Sequence, residues 1–410
     1  MATNTSSQNL GRLILPKIKI VGVGGGGCSI VSEIAKIFAR KKIKHGGRIE
    51  FIAANVDWQA LKNVPKKVKK FYFGEETTHG LGCGMNPELG EKAAKAAQGR
   101  IKKELQKADF CIFVSCLGGG TGSGAMPIFS QVANSLNLLT LGVFTLPFKF
   151  EGQKRTEIAK SALKKIKPNL NSTVVMSNQK IFQLIKEQTS LHRAFLLMNK
   201  ILAQTFEGLI EALYQPGMIN TDFADLRSIL KQKGAGAYLN CAKAGGKNRI
   251  TIALKRLFEN PLSNFELKES QAFLCDIAGP RNLSMQEIEK VAKTIFQFNP
   301  RAKIIFGINS LHLKDQIRIT LLAVKPPEKA KSKKVKSKKE KQAEKRPKKE
   351  VAKKLKKKSK KKTSSLKIKK RIRRNALDIH KIAKETEKEL LGEEKKWDIP
   401  TFLRQKFSSK

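Results

Sequence analysis

The chain has 410 residues, with 82 Lys and Arg against 34 Asp and Glu, for a formal net charge of +48. That length allows two or three domains with a sizeable core, and the charge points to anionic partners. No run of about 18 apolar residues exists, which argues against a membrane-spanning helix, and Met1–Leu15 is too polar to be expected as a secretory leader.

Met1–Pro16 reads as a flexible arm. Lys17 to Ser190 alternates strands and helices, with strands expected at Ile18–Val23, Arg48–Asn55, Phe110–Ser115, Leu138–Thr145 and Ser172–Ser177. This pattern predicts a parallel sheet covered on both faces, with ligands at the carboxyl ends of the strands. Two glycine loops sit where such ligands bind. Gly22-Val-Gly-Gly-Gly-Gly27 lies between the first strand and a helix over Cys28–Arg40. Gly118-Gly-Gly-Thr-Gly-Ser-Gly124 lies between the apolar run Phe110–Leu117 and a helix opening at Ala125. Glycines let the main chain approach a phosphate closely, and a helix N-terminus favours negative charge. No lysine follows Gly124, so the second loop is not a P-loop, and Gly22, Gly24 and Gly27 alone fit only the weak GxGxxG pattern. Two such loops suggest two clamps on one polyphosphate.

Leu191–Tyr214 predicts one long central helix, ended by Pro216-Gly217. A second α/β unit follows over residues 217–324, with strands at Tyr238–Lys243, Ala272–Ile277, Lys303–Ile308 and Gln316–Val324. Ser284–Phe298 has helical period, and Ser284 with Glu287 makes a capping box. At the start of this unit Asn220, Asp222 and Asp225 form NxDxxD; the two carboxylates could serve chemistry, or Asp222 could simply cap the next helix. Lys325–Arg374 holds 27 basic residues against four Glu, a net +23, and predicts a disordered linker reaching about 40 Å or more. Such a block could be a spacer, or could bind anionic lipid or nucleic acid without sequence preference. Asn375–Lys396 is a candidate short helix, and residues 397–410 hold the compact apolar peptide Asp398-Ile-Pro-Thr-Phe-Leu-Arg404, suited to a partner's groove. Cys28, Cys83, Cys111, Cys116, Cys241 and Cys275 form no CxxC pair, and the five histidines are scattered. No metal site is assigned, and the thiols are expected to be reduced and mostly buried.

GGGTGSG resembles the signature shared by tubulin and FtsZ, and the chain is similar to the FtsZ family over roughly Lys17–Val324 and again at Asp398–Arg404. The resemblance implies a tubulin/FtsZ-like fold: a GTP-binding domain over 17–190, a central helix over 191–216, and a C-terminal domain over 217–324 with the catalytic loop. It implies GTP or GDP, with Mg²⁺, against Gly22, Gly24, Gly25, Gly26, Gly27, Cys28 and Ser29, and against Gly118, Gly119, Gly120, Thr121, Gly122, Ser123 and Gly124. Asn55 and Asp57 match the family's NTD loop, and Cys83 and Gly84 match the loop that senses the γ-phosphate. Glu151 and Arg155 match PFxFEGxxR near the sugar, and Asn178, Phe195 and Asn199 match the residues that face, stack on and read guanine. Cys28, Ser29, Val56, Trp58 and Met85 depart from the family pattern; Met85 replaces a glycine, and Cys28 could crowd the phosphate or fix its loop.

By the same resemblance, Asn220, Asp222 and Asp225 are catalytic and serve a neighbour's nucleotide in a head-to-tail polymer, because the central helix separates them from their own by about 20 Å. The implied role is a GTPase of the cell-division ring, cytoplasmic and beneath the membrane, with anchors and regulators gripping Asp398–Arg404. Two other readings stand beside it. A dinucleotide oxidoreductase would account for the first glycine loop alone, and a slow or non-catalytic nucleotide-binding scaffold would account for the basic tail and the altered loops.

Overall fold

A computed structural model describes residues 16–40, 48–215, 217–259, 262–263, 265–310 and 315–327. The expectations for Met1–Leu15, Pro216 and everything from residue 328 onward lie outside these residues. The first half runs β1 (Ile18–Val23), α1 (Gly24–Arg40), β2 (Ile49–Asn55), α2 (Trp58–Lys62), β3 (Lys69–Tyr72), α3 (Glu75–Thr78), α4 (Pro87–Ala96), α5 (Gln98–Leu105), β4 (Phe110–Cys116), α6 (Gly120–Ser135), β5 (Leu139–Leu146), α7 (Gln153–Ile166) and β6 (Ser172–Ser177). The second runs α8 (Leu191–Tyr214), α9 (Phe223–Ile229), β7 (Ala235–Gly245), α10 (Arg249–Phe258), β8 (Ala272–Gly279), α11 (Met285–Phe296), β9 (Lys303–Ser310) and β10 (Gln316–Lys325).

All ten strands join one sheet in the order β3-β2-β1-β4-β5-β6-β7-β10-β8-β9. The first six are parallel in the 3-2-1-4-5-6 order of doubly wound nucleotide folds. The last four are mixed: β10 runs antiparallel to β7 and β8, and β8 is parallel to β9. The halves meet through only two residue pairs of β6 and β7, Ser172↔Ala235 and Thr173↔Gly236.

What unites the halves is α8. One face of the sheet packs against α1 and α8 in a single core that holds Ile20, Val143 and Val174 from the first half and Leu239, Leu274 and Leu322 from the second. Leu197, Leu202, Phe206, Leu209 and Leu213 recur at helical spacing along α8 and bury into it. A Cβ at Gly208 would lie 2.3 Å from the Thr320 hydroxyl oxygen, so glycine is what lets α8 press against β10. The opposite face of the first half is covered by α4, α5, α6 and α7, through Ala93, Ile101, Phe129 and Ala162. In the second half α10 and α11 form a separate core with Phe273 and Ile319.

Both helices after the glycine loops start earlier than the sequence suggests. α1 opens at Gly24 rather than Cys28, and α6 at Gly120 rather than Ala125. The glycines are the first turns of these helices, with their free backbone N–H groups at the sheet's carboxyl edge.

Candidate functional site

β1 and β4 are neighbours in register, Gly22↔Val114, so α1 and α6 start side by side. The Ser115 hydroxyl donates to the Val23 carbonyl at 2.9 Å and ties the two strand ends together. At Gly26 a Cβ would fall 2.5 Å from the Cys116 sulfur. A third loop is joined to this pair. The Gly120 N–H donates to the Gly84 carbonyl at 2.9 Å, and a Cβ on Gly120 would sit 2.7 Å from the Cys83 Cβ. The sequence therefore holds glycine where three backbone segments converge too closely for side chains.

These segments open a cavity of about 720 Å³. Gly24, Gly25, Gly26 and Ser29 line it from α1, and Gly119, Gly120, Thr121 and Gly122 from the start of α6. Asn55, Asp57, Cys83, Gly84, Glu151, Arg155, Asn178, Phe195 and Asn199 complete the expected set that reaches it. Two helix N-termini facing one cavity make an anion site with a specific length, suited to linked phosphates.

Six expected contacts do not line the cavity: Gly22, Gly27, Cys28, Gly118, Ser123 and Gly124. They build the loops from behind. The Ser123 hydroxyl accepts from the Gly118 N–H at 2.8 Å, and a Cβ on Gly27 would lie 2.4 Å from the Val114 carbonyl oxygen. The Cys28 thiol turns into the core toward the carbonyls of Gly22 and Ala54, at 3.5 and 3.4 Å. It fixes the loop and does not crowd the ligand, and burial pushes its acidity far below that of a free thiol. Met85 also departs from expectation. The left-handed conformations of this loop fall on Gly82 (φ +87°) and Gly84 (φ +52°), so Met85 carries no such strain.

The opposite end of the cavity is aromatic and amide-rich. Phe195 is 39 % exposed and packs edge-to-face on Phe148 at 5.9 Å. Asn178 and Asn199 are both buried, and the Asn178 Oδ1 has no hydrogen-bond partner. An unpaired buried acceptor at a cavity wall is costly unless a ligand donor meets it. A guanine edge, which offers N–H groups, fits this wall; the glycine cradle fits its phosphates. Between them Glu151 and Arg155 pair at 2.6 Å, and a Glu151 oxygen also accepts from the Phe148 N–H at 2.7 Å. Asp57 caps α2 by accepting from Ala60 N–H at 2.9 Å.

His192, Leu196 and Met198 also line the cavity and were not expected there. His192, Phe195, Leu196 and Asn199 lie three or four apart on α8, so the helical period from Phe195 would have found two of them.

Arg155 is the lining guanidinium, against the carboxylates of Glu33, Asp57 and Glu151. Backbone N–H groups must therefore hold most of a bound polyphosphate, and a divalent cation would offset the rest. Among the described residues, no cluster of three His, Cys, Asp or Glu side chains could hold a metal.

Asn220, Asp222 and Asp225 are not brought to this cavity. They lie past the far end of α8, at the start of α9. Asp222 caps α9: its carboxylate accepts from the Asp225 N–H at 2.7 Å, and the Asp225 carboxylate accepts in return from the Asp222 N–H at 3.3 Å. The Asn220 side chain accepts from the Gly217 N–H. The loop lies on β9, where the Met218 N–H donates to the Ile308 carbonyl at 2.8 Å. A Cβ at Gly217 would lie 2.1 Å from the Asn309 Oδ1. Met218 (84 %) and Ile219 (48 %) are exposed on this loop.

The model for the tubulin/FtsZ family GTPase domain matches residues 17–186, and that for the FtsZ family C-terminal domain matches residues 235–325. Among solved structures, an empty FtsZ dimer from M. jannaschii is 30% identical, over 75% of this chain and 88% of that one, with a TM-score of 0.67. CetZ2 from Haloferax volcanii, a GTPγS-bound protofilament, is 20% identical over 76% and 94%, with a TM-score of 0.66. GDP-bound CetZ1 from the same organism is 21% identical over 75% and 93%, at 0.65.

Proposed function

The chain belongs to the tubulin/FtsZ family, and on that premise we propose that it is a self-assembling GTPase whose hydrolytic centre is completed only where two copies meet. One observation carries this reading. Asn199 lines the nucleotide cavity near one end of α8, whereas Asp222 lies beyond the other. The 15 residues from Asn199 to Tyr214 span on the order of 20 Å of rigid helix. Asp222 therefore serves the cavity of the next subunit, a head-to-tail contact that repeats into a filament. The exposed Met218 and Ile219 flank it as the apolar part of the contact.

In that arrangement Asp222 and Asp225 orient and polarise the attacking water, with Asn220 holding the turn. Backbone N–H groups of Gly24–Gly26 and Gly119–Gly122 stabilise the charge that develops on the phosphates. Mg²⁺, entering with the nucleotide, would supply the positive charge that the cavity's side chains lack.

We assign the filament to the division ring. The 30% identity to an FtsZ, the FtsZ C-terminal domain match and the peptide Asp398–Arg404 favour this over a CetZ-like structure, to which identity is 20–21%. Asp398–Arg404 would then be the grip for membrane anchors and regulators in the cytoplasm, and the Lys325–Arg374 segment a charged tether to anionic lipid or nucleic acid.

The test is GTP turnover per molecule against protein concentration. A threshold, with Asp222→Ala retaining GTP binding but losing about 100-fold in turnover, is the expected result. Turnover independent of concentration, or an Asp222→Ala protein at the wild-type rate, overturns the reading.

A further inference from the structure

Helices α4, α5 and α7 cover the same sheet face as α6 and expose an excess of cations. Lys92, Lys102, Lys103, Lys154, Lys160 and Lys164 are all exposed. No carboxylate among the described residues pairs with them, while the exposed acids on these helices are Glu88 and Glu157. The cations of α4 and α7 form one surface. Glu91 bridges them, 2.7 Å from the Lys95 ammonium and 3.3 Å from that of Lys165. Six uncompensated lysines on one face repel each other, a cost that a polyanion removes.

The chain also leaves the domain at this face. Pro327, the last described residue, lies at the end of α7: a Cβ on Gly234 would sit 3.5 Å from Pro327 Cβ and 3.9 Å from the Lys167 carbonyl. Lys233, beside it, bonds the side chain of Asn134 at the end of α6. The lysine-rich segment that begins here thus continues the cationic surface of α7.

We propose that this face and the lysine-rich segment together bind the phosphate backbone of double-stranded nucleic acid. The proposal deepens the tether reading above by adding a folded surface and choosing its partner. Two features favour a phosphate ladder over a membrane. None of the exposed large apolar residues falls on α4–α7, whereas membrane-surface helices insert such residues. No exposed aromatic side chain interleaves with the lysines, so base stacking has no platform and the contact is sequence-independent. The nucleotide cavity is elsewhere, and none of these six lysines lines it.

The experiment titrates the full chain with a mixed-sequence 30-base-pair DNA duplex across a salt series. It compares wild type with Lys102→Gln/Lys103→Gln/Lys160→Gln/Lys164→Gln and with the same four sites changed to Arg. The expected result is at least a ten-fold weaker affinity for the Gln protein, a salt slope smaller by about one per lysine in contact with phosphate, and retention by the Arg protein. In wild-type protein, duplex should shield these lysines from acetylation, and phosphatidylglycerol vesicles should not. Equal affinity and slope in the Gln and wild-type proteins would leave binding to the tail alone and overturn the folded-face assignment. Shielding by vesicles but not by duplex overturns the choice of partner. No binding of duplex by wild type removes the nucleic-acid reading altogether, without touching GTP turnover.

Discussion

A Cβ placed on Gly24 would lie 2.8 Å from the amide nitrogen of Gly122, so the first turns of α1 and α6 touch through bare backbone. Gly24 also sits at φ +77°, where L side chains are strained. Gly24→Ala therefore meets two penalties at once, and its clash is with main chain that cannot rotate away. The variant is expected to lose about 1–3 kcal/mol of stability and at least ten-fold in GTP affinity. Thermal melts and nucleotide titration read the two losses separately. By contrast Gly25→Ala, with nothing within 4 Å of its Cβ, should leave stability within about 0.5 kcal/mol of wild type.

Asn178 makes a prediction of opposite sign for stability and binding. Its Oδ1 is buried without a partner, so the free protein carries a desolvated acceptor. Asn178→Ala removes that cost and should leave the melting temperature unchanged or higher. GTP affinity should fall, and the preference for GTP over ATP should shrink, because the acceptor that meets the guanine N–H groups is gone. Competition between the two nucleotides measures it. An unchanged preference with lower stability would make Asn178 a purely structural residue.

Cys28→Ala tests the thiol's structural role. The side chain points away from the cavity into the carbonyls of Gly22 and Ala54. Affinity for GTP is expected to stay within about two-fold, while stability falls by about 1–2 kcal/mol from lost packing. In wild-type protein, native-state alkylation should spare Cys28, since burial holds its thiol protonated.

The local and periodic parts of the fold were legible in the sequence. α8 runs over Leu191–Tyr214 as its unbroken apolar period predicts, and the Ser284–Glu287 box caps α11 as expected. β1 and β6 carry their expected bounds, since buried parallel strands are nearly continuous apolar runs. The edge strand β3, Lys69–Tyr72, was not expected; it has four residues, two exposed lysines and no apolar alternation. The helix α10 was likewise unannounced, although Ile250, Ala253, Leu254 and Leu257 recur at three- and four-residue spacing. The joining of both halves into one sheet was also hidden, because it rests on two long-range pairs with no local signal. At the site, motif spacing located every loop but not which atoms face inward. Gly27 and Gly124 lie among the glycines yet press on the Val114 and Pro87 carbonyls, and only the packing separates them from Gly25 and Gly122.

The last prediction concerns Asp276, buried on β8 beneath the loop that carries Asp222. Its Oδ1 accepts from the Asn309 Nδ2, its Oδ2 has no partner, and burial raises its carboxyl to about 7. An unfolded aspartate titrates near 3.8, so between these values the native state holds a proton that the unfolded chain has released. Stability therefore falls as pH rises from about 4 to about 7 and levels off above. The span is on the order of 4 kcal/mol at most. Asp276→Asn keeps the shape and an amide partner for Asn309 but cannot titrate. Its unfolding free energy in denaturant should lack this slope and exceed that of wild type at pH 8, with the two converging near pH 4. A wild-type protein whose stability rises from pH 4 to 7, or an Asp276→Asn protein with the same slope as wild type, would show that Asp276 is ionised in the core. The two carboxyl states also differ at Asn309, whose Oδ1 faces Gly217. A protonated Asp276 can donate to that oxygen and an ionised one cannot, so the same titration should alter the footing of the catalytic loop.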